Sequence, residues 1–328
     1  MIQENKGPTL VTSPESGVIK TPDPELEARG PTPVLCAPFD SSRRRFAYYF
    51  VSLFLGICLF AFPLKELIGM SLQSDLYSYI PLIFATSCYL LASGRKEIFD
   101  DPAWSFGYGT FVLILSLAAG IAGLKYAALL GANDWLCVMA FSFWLFLMGT
   151  FILFLGTRTF TKAIFPLALL LFTIPLPAFL LDKIVGFLQA ASSTMTGLIF
   201  NALGFFPLQE GFSFKFPEVT IEVAKQCSGI HSSVALVIMS LLCGRLFLRS
   251  SLNRILLVVF AVLIAIFKNG VRIVALTLGA IYVDPRILSS ALHKSGGIPI
   301  FIFAFALLSI VVLVMRKLEK RKAVNSEQ

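Results

Sequence analysis

The amino-acid sequence predicts an all-α polytopic membrane protein of about eight transmembrane helices, with an extracytoplasmic interfacial helix and a small hairpin. Three observations support this fold class. Of the 328 residues, 57% are hydrophobic and only 14% are charged, a balance that soluble globular domains do not show. Apolar stretches of about 20 residues, the length that crosses a hydrocarbon core of roughly 30 Å, recur along the chain. Lys and Arg concentrate in alternate connections between them, as the positive-inside rule requires.

The first 42 residues differ in composition from the rest of the chain. They are rich in Pro, Glu, Thr and Ser and poor in apolar residues, which predicts a disordered N-terminal tail. A cleavable signal peptide has an apolar core behind an early basic region, whereas the first apolar run here follows Arg43, Arg44 and Arg45. We therefore expect an uncleaved anchor, a membrane domain over 43–316 and a basic tail over 317–328.

The membrane domain contains eight apolar stretches that are predicted to span the bilayer. They are 46–64, 77–93, 107–124, 135–156, 160–181, 228–246, 254–281 and 297–315. Segment 183–206 mixes polar with apolar residues and is predicted to be an interfacial helix. Segment 207–223 alternates phenylalanines with polar residues, which predicts a hairpin outside the bilayer core.

The distribution of Lys and Arg predicts the orientation. With the N-terminus inside and eight spans, the cytoplasmic side receives fifteen Lys and Arg residues and the other side receives seven. A ninth span at 183–206 would move the basic clusters at 245–254 and 316–322 to the outside, against the positive-inside rule. The protein is therefore predicted to lie in the cell inner membrane with both termini on the cytoplasmic side.

Charge and cysteine content exclude several classes of protein. The net charge of +8 follows from membrane orientation, and no soluble segment has a basic stripe interleaved with aromatics, so no nucleic acid partner is expected. The cysteines form no CxxC pair, which argues against a disulfide framework or a zinc site; they occupy positions 36, 58, 88, 137, 227 and 243. We expect no metal and no cofactor, and the lipid bilayer as a partner.

Three residues suited to thiol chemistry converge at the outer boundary of the predicted topology. Cys227 begins the sixth span, and His293 lies in the outer loop 282–296. Arg272 lies 18 residues beyond Arg254, about 27 Å from the inner surface along a helix. A thiol attacks as thiolate, which nearby positive charge favours. An Arg can also stabilise an oxyanion and a His can transfer protons, so the set predicts an extracytoplasmic active site.

His231 competes with His293 for the role of base. It lies four residues after Cys227, one helical turn away and on the same face, and spacing alone favours neither histidine. Lys268, Asn269 and Arg272 cluster in an otherwise apolar helix, where ionisable groups are functional candidates. A single Cys can be an apolar filler and a single Arg can snorkel, so the combination carries the hypothesis.

In three motifs the chain resembles the exosortase/archaeosortase family of membrane-embedded cysteine transpeptidases. They are Cys227-Ser228-Gly229 at the head of one span, Asn269-x-x-Arg272 within the next, and His293 before the last. The resemblance covers about 45–316. It implies a catalytic triad of Cys227, Arg272 and His293, with Ser228, Gly229, Asn269 and His231 as possible supporting residues.

The same resemblance implies a function. The substrates would be membrane-anchored proteins that end in a sorting signal like PEP-CTERM: a motif such as Pro-Glu-Pro, a transmembrane helix and a basic cluster. Cleavage would proceed through a thioester at the Cys and transfer the new carboxyl end to an acceptor. Whether an amine or water accepts it stays open, and water would make the protein a protease.

A polytopic transporter or scaffold for surface polysaccharide export is the alternative. Transporters usually carry polar residues at mid-membrane depth in several helices, or an internal repeat. Here the predicted spans before residue 182 contain few ionisable groups, and the sequence shows no apparent repeat. A scaffold would not need Cys, Arg and His at one depth.

Overall fold

The computed structural model of the protein describes residues 39–216, 220–223, 229–283 and 297–325. The chain divides after Arg44, and of the part before this point the structure describes only the first residues of helix α1. The predicted N-terminal tail thus lies outside the described residues, apart from 39–42, which are helical.

The described residues are mainly helical. In chain order the helices are α1 (Phe39–Leu59), α2 (Ala61–Gln73), α3 (Ile80–Ser93), α4 (Arg95–Ile98), α5 (Phe106–Lys125), α6 (Ala132–Leu169), α7 (Ala178–Ala202), α8 (Ile230–Phe247), α9 (Ser251–Tyr282) and α10 (Gly297–Asn325). Three short strands follow α7: β1 (Leu208–Glu210), β2 (Ser213–Lys215) and β3 (Thr220–Glu222). Five helices in the described ranges are long and apolar enough to cross a membrane, namely α5, α6, α8, α9 and α10. The prediction of an all-α membrane protein holds, whereas the count of eight spans is not confirmed.

The first predicted span, 46–64, is broken. Helices α1 and α2 meet at Phe60 with a bend of 73°. Pro63 explains the break, because a proline ring clashes with the carbonyl group four residues earlier and supplies no N–H to it. The bent pair counts as a sixth candidate only if it forms one span.

The second predicted span is shorter than expected. Helix α3 has 14 residues and begins beside Pro81, a residue favoured at the first helical positions. Tyr77, the first residue of the predicted span 77–93, belongs instead to a separate 3₁₀ turn over Asp75–Tyr77. At about 1.5 Å per residue α3 is only about 21 Å long, less than the hydrocarbon thickness.

The fourth and fifth predicted spans, 135–156 and 160–181, share helix α6. Gly156 interrupts it with φ 89° and ψ 163°, a conformation that L side chains rarely adopt. The helical path ends at Leu169, and a 3₁₀ turn over Leu170–Thr173 follows. Since Pro175 and Pro177 come next, the chain cannot continue as a helix to residue 181.

Helix α9 lies at the centre of the C-terminal half. Leu257, Ala261 and Ala265 of α9 pack with Leu236 of α8 and Leu308 of α10 in one buried apolar cluster. Helices α8 and α9 are antiparallel, because only residues 248–250 connect them. The start of α8 therefore lies level with the part of α9 around Lys268 and Asn269.

The small sheet lies at the same level of the bundle. Its order is β1-β2-β3, with both pairs antiparallel, so the region predicted as a hairpin has a third strand. Phe214 and Val223 are buried against Phe200 of α7 and Ile273 of α9. The sheet is thereby fixed against the two helices that carry most of the polar groups described next.

Candidate active site

Gly229 forms the turn that begins helix α8. Its backbone is left-handed, with φ 72° and ψ 15°, a region that favours glycine. Its carbonyl oxygen accepts hydrogen bonds from the Ser232 Oγ at 3.1 Å and the Ser233 Oγ at 2.8 Å. A Cβ atom here would lie 2.8 Å from Asn269 Oδ1. Both conformation and space therefore require glycine at this predicted supporting position.

Asn269 connects that turn to helix α7. The residue is 1% exposed, and its Nδ2 donates to Ser192 Oγ of α7 at 2.9 Å. Its side chain also contacts Gly229, as the space around that glycine shows. This predicted supporting residue thus lies between the start of α8 and α7.

Lys268 makes a second contact between α9 and the start of α8. It is 3% exposed, and its Nζ donates to Ser232 Oγ. Because the same hydroxyl contacts the Gly229 carbonyl, a polar chain runs from the ammonium group to the turn. A buried ammonium group needs such partners. In the sequence, Lys268 could be recognised as a functional candidate because it lies beside Asn269 in an otherwise apolar helix.

Arg272 follows Lys268 by four residues, so both cations lie on one face of α9. Arg272 is half-buried. His231, the second residue of α8, is also half-buried and lies at the same end of the bundle. The structure therefore brings Gly229, His231, Asn269 and Arg272 to one end of the bundle, and the side of the membrane that this end faces stays a prediction.

Three of the predicted residues lie outside the described ranges. They are Cys227, Ser228 and His293. Cys227 and Ser228 directly precede Gly229 in the sequence, and His293 belongs to the segment between α9 and α10. Their roles stay predictions.

Helix α7 contributes polar groups that the sequence analysis did not assign to the site. Gln189, Ser192 and Ser193 are buried, although the polar content of this segment was interpreted as a sign of an interfacial helix. Helix α7 is not among the five candidate spans of the described chain. The available signal was the spacing of 189, 192, 193 and 196, which places four polar residues on one helical face.

Comparison with known proteins gives one family match. The family model described as transmembrane exosortase matches residues 70–310, which include α3 to α9 and half of α10. No curated protein and no solved structure matches the chain. Because the matched region is much more than half of the 328 residues, the chain belongs to the transmembrane exosortase family.

Proposed function

We propose that this protein is a membrane-embedded cysteine transpeptidase that cleaves C-terminal sorting signals of exported proteins. One observation carries the proposal: Gly229, two residues after Cys227 in the sequence, packs against Asn269 of the helix that bears Arg272. The Cα atoms of residues two positions apart in the sequence, such as 227 and 229, are at most about 7.6 Å apart. This short connection supports the proposal that Cys227 acts together with Arg272.

The first half of the reaction forms a thioester. The Cys227 thiolate attacks the carbonyl carbon of the scissile peptide bond, and a C–S bond forms while the carbonyl electrons move to oxygen. Arg272 donates N–H groups to this oxyanion, which accumulates charge mainly in the transition state. When the intermediate collapses, the C–N bond breaks and a histidine gives its proton to the leaving amine.

The second half releases the product. An acceptor amine, or water, attacks the thioester carbonyl and transfers its proton to the same histidine. The C–S bond then breaks and the thiolate returns. The permanent charge of Arg272 favours the thiolate throughout, and Lys268, one turn earlier on α9, adds positive charge at this end of the bundle.

The membrane location suits substrates that carry their own anchor. The resemblance implies a C-terminal motif such as Pro-Glu-Pro, a transmembrane helix and a basic cluster. A substrate held by its helix would diffuse laterally to the enzyme and present its motif at the outer boundary of the cell inner membrane. The predicted topology, with both termini cytoplasmic, places the candidate site on that side.

A reporter experiment tests the function directly. A secreted reporter receives the last segment of a protein from the same cell that ends in a motif, a helix and an arginine cluster, and is expressed with this chain in a host without an exosortase. We expect a shortened reporter only when the chain is present. Mass spectrometry of its new carboxyl end distinguishes transfer to an amine from hydrolysis. An uncleaved reporter, with the chain present in the membrane, would contradict the proposal.

The two histidines give a separate prediction. We expect His293→Ala to lower the turnover of the reporter by at least about a hundredfold, because proton transfer by a positioned side chain contributes roughly 10²–10⁴-fold. His231→Ala is the matched control, and its turnover should stay within about threefold of the unmodified enzyme. Loss of turnover in the His231 variant alone would move the base to α8. Full activity of both variants would remove histidine from the mechanism.

A further inference from the structure

Helix α7 has its polar residues turned toward the protein and its apolar residues turned outward. Gln189 is 6% exposed and Ser192 is fully buried, whereas Phe187 and Leu198 are each 59% exposed. This is the reverse of an amphipathic helix on a water-soluble protein. The polar face is therefore available for contacts inside the fold.

Three of the four buried polar residues on that face hold other elements, while the Thr196 hydroxyl donates to the Ser192 carbonyl oxygen of its own helix. The Gln189 Nε2 donates to the Val223 carbonyl oxygen, just after β3, at 2.6 Å. The Ser192 Oγ accepts from Asn269 of α9 at 2.9 Å, and the Ser193 Oγ accepts from Gln209 of β1 at 3.2 Å. One face of α7 thus fixes the sheet and α9 at the same time.

Two of these contacts bracket the part of the sequence that contains Cys227. Val223 is the last described residue before 224–228, and Gly229 is the first one after it. Gln189 holds Val223 directly, while Ser192 holds Asn269, which packs against Gly229. The positions of both flanking residues therefore depend on α7.

We infer that Gln189 and Ser192 are positioning residues of the proposed transpeptidase, fixing the two residues that flank segment 224–228 with respect to Arg272. This inference rests on the proposed function. Neither side chain needs to touch substrate. Small displacements of a nucleophile are costly, since an error of about 1 Å can lower a rate by about a hundredfold. Each hydrogen bond would thus act on the chemical step rather than on substrate capture.

The test uses Gln189→Leu and Ser192→Ala, which remove the donor and the acceptor. Thr194→Ala is the matched control, because Thr194 lies on the exposed side of α7 and its hydroxyl bonds to its own helix at Ala190. We expect both test variants to lower kcat for the reporter by about 10- to 100-fold, with KM within about twofold. Ser192→Thr keeps the acceptor oxygen and should restore most of the kcat.

A second measurement needs no substrate. In a chain whose only thiol is Cys227, the rate of maleimide alkylation is followed against pH. If α7 holds the thiol beside Arg272, the profile of the Gln189→Leu and Ser192→Ala chains should move to higher pH, because less positive charge then favours the thiolate. A role in folding alone would lower the amount of protein in the membrane and leave this profile unchanged.

The outcomes separate the inference from the function on which it rests. Wild-type kcat and an unshifted alkylation profile in both variants would overturn the inference, as would activity losses that merely follow the amount of folded protein. If Cys227→Ala is inactive in the same assay, such a result refutes only the role of α7. If Cys227→Ala is active, the proposed function fails first.

Discussion

Replacing Cys227 by Ala is expected to abolish processing of the sorting-signal reporter. No other group in the proposed mechanism can form the thioester, so the reporter should accumulate at full length. Cys227→Ser should be almost as inactive, because a hydroxyl group is a far weaker nucleophile than a thiolate near neutral pH. The measurement is the ratio of full-length to shortened reporter, together with loss of the covalent enzyme–substrate adduct.

Cys243 offers a matched control for this prediction. It is a half-buried thiol near the C-terminal end of α8, and Cys243→Ala should process the reporter at the normal rate. Equal inactivity of the two variants, at equal amounts in the membrane, would mean that thiol loss harms the fold. Normal processing by Cys227→Ala would refute the cysteine mechanism.

Replacing Arg272 by Ala is expected to lower turnover by roughly a thousandfold or more, since removal of one oxyanion donor alone costs about 10²–10³-fold. The guanidinium group has two proposed tasks, and Arg272→Lys separates them. A lysine keeps the charge but lacks the planar fork of N–H donors. We therefore expect Arg272→Lys to keep most of the thiol reactivity of Cys227 in the single-thiol chain, while reporter turnover still falls at least tenfold.

Arg249 provides the control for the Arg272 prediction. Arg249 is exposed at the turn between α8 and α9, at the opposite end of the bundle, and Arg249→Ala should keep normal turnover. If Arg272→Ala alkylates at Cys227 with the normal pH dependence, its charge does not act on the thiol. If its turnover is also normal, Arg272 has no catalytic role.

The sequence pointed to two residues, Gly229 and Asn269, that lie together in the fold, although their roles and those of Cys227 and His293 stay predictions. Asn269 and Gly229 were expected to support catalysis because of the motifs that contain them, and the structure shows that they contact each other. The first, second and fifth predicted spans were wrong in extent, whereas Gly156 interrupts α6 at the predicted end of the fourth. Hydropathy registers the apolar content of a stretch, whereas Pro63, Gly156 and the pair Pro175 and Pro177 determine where a helix can continue.

The polar residues of α7 show what the sequence could not predict about the contacts of a helix. Gln189 and Ser192 were read as signs of an interface, because composition cannot say which side of a helix is covered. Their partners, Val223 and Asn269, lie 34 and 77 residues away in the sequence. Only packing decides such contacts.

By itself, the sequence determined that this is a helical membrane protein of the exosortase type, with Arg272 near the end of the bundle where α8 begins. These properties depend on composition, on the spacing of apolar runs and on short motifs, all of which are local along the chain. The tertiary structure decided which helices are continuous, that Lys268 contacts Ser232, and that the polar face of α7 lies against α9 and the sheet. Those properties depend on the contacts that distant segments make when their buried polar groups must find partners.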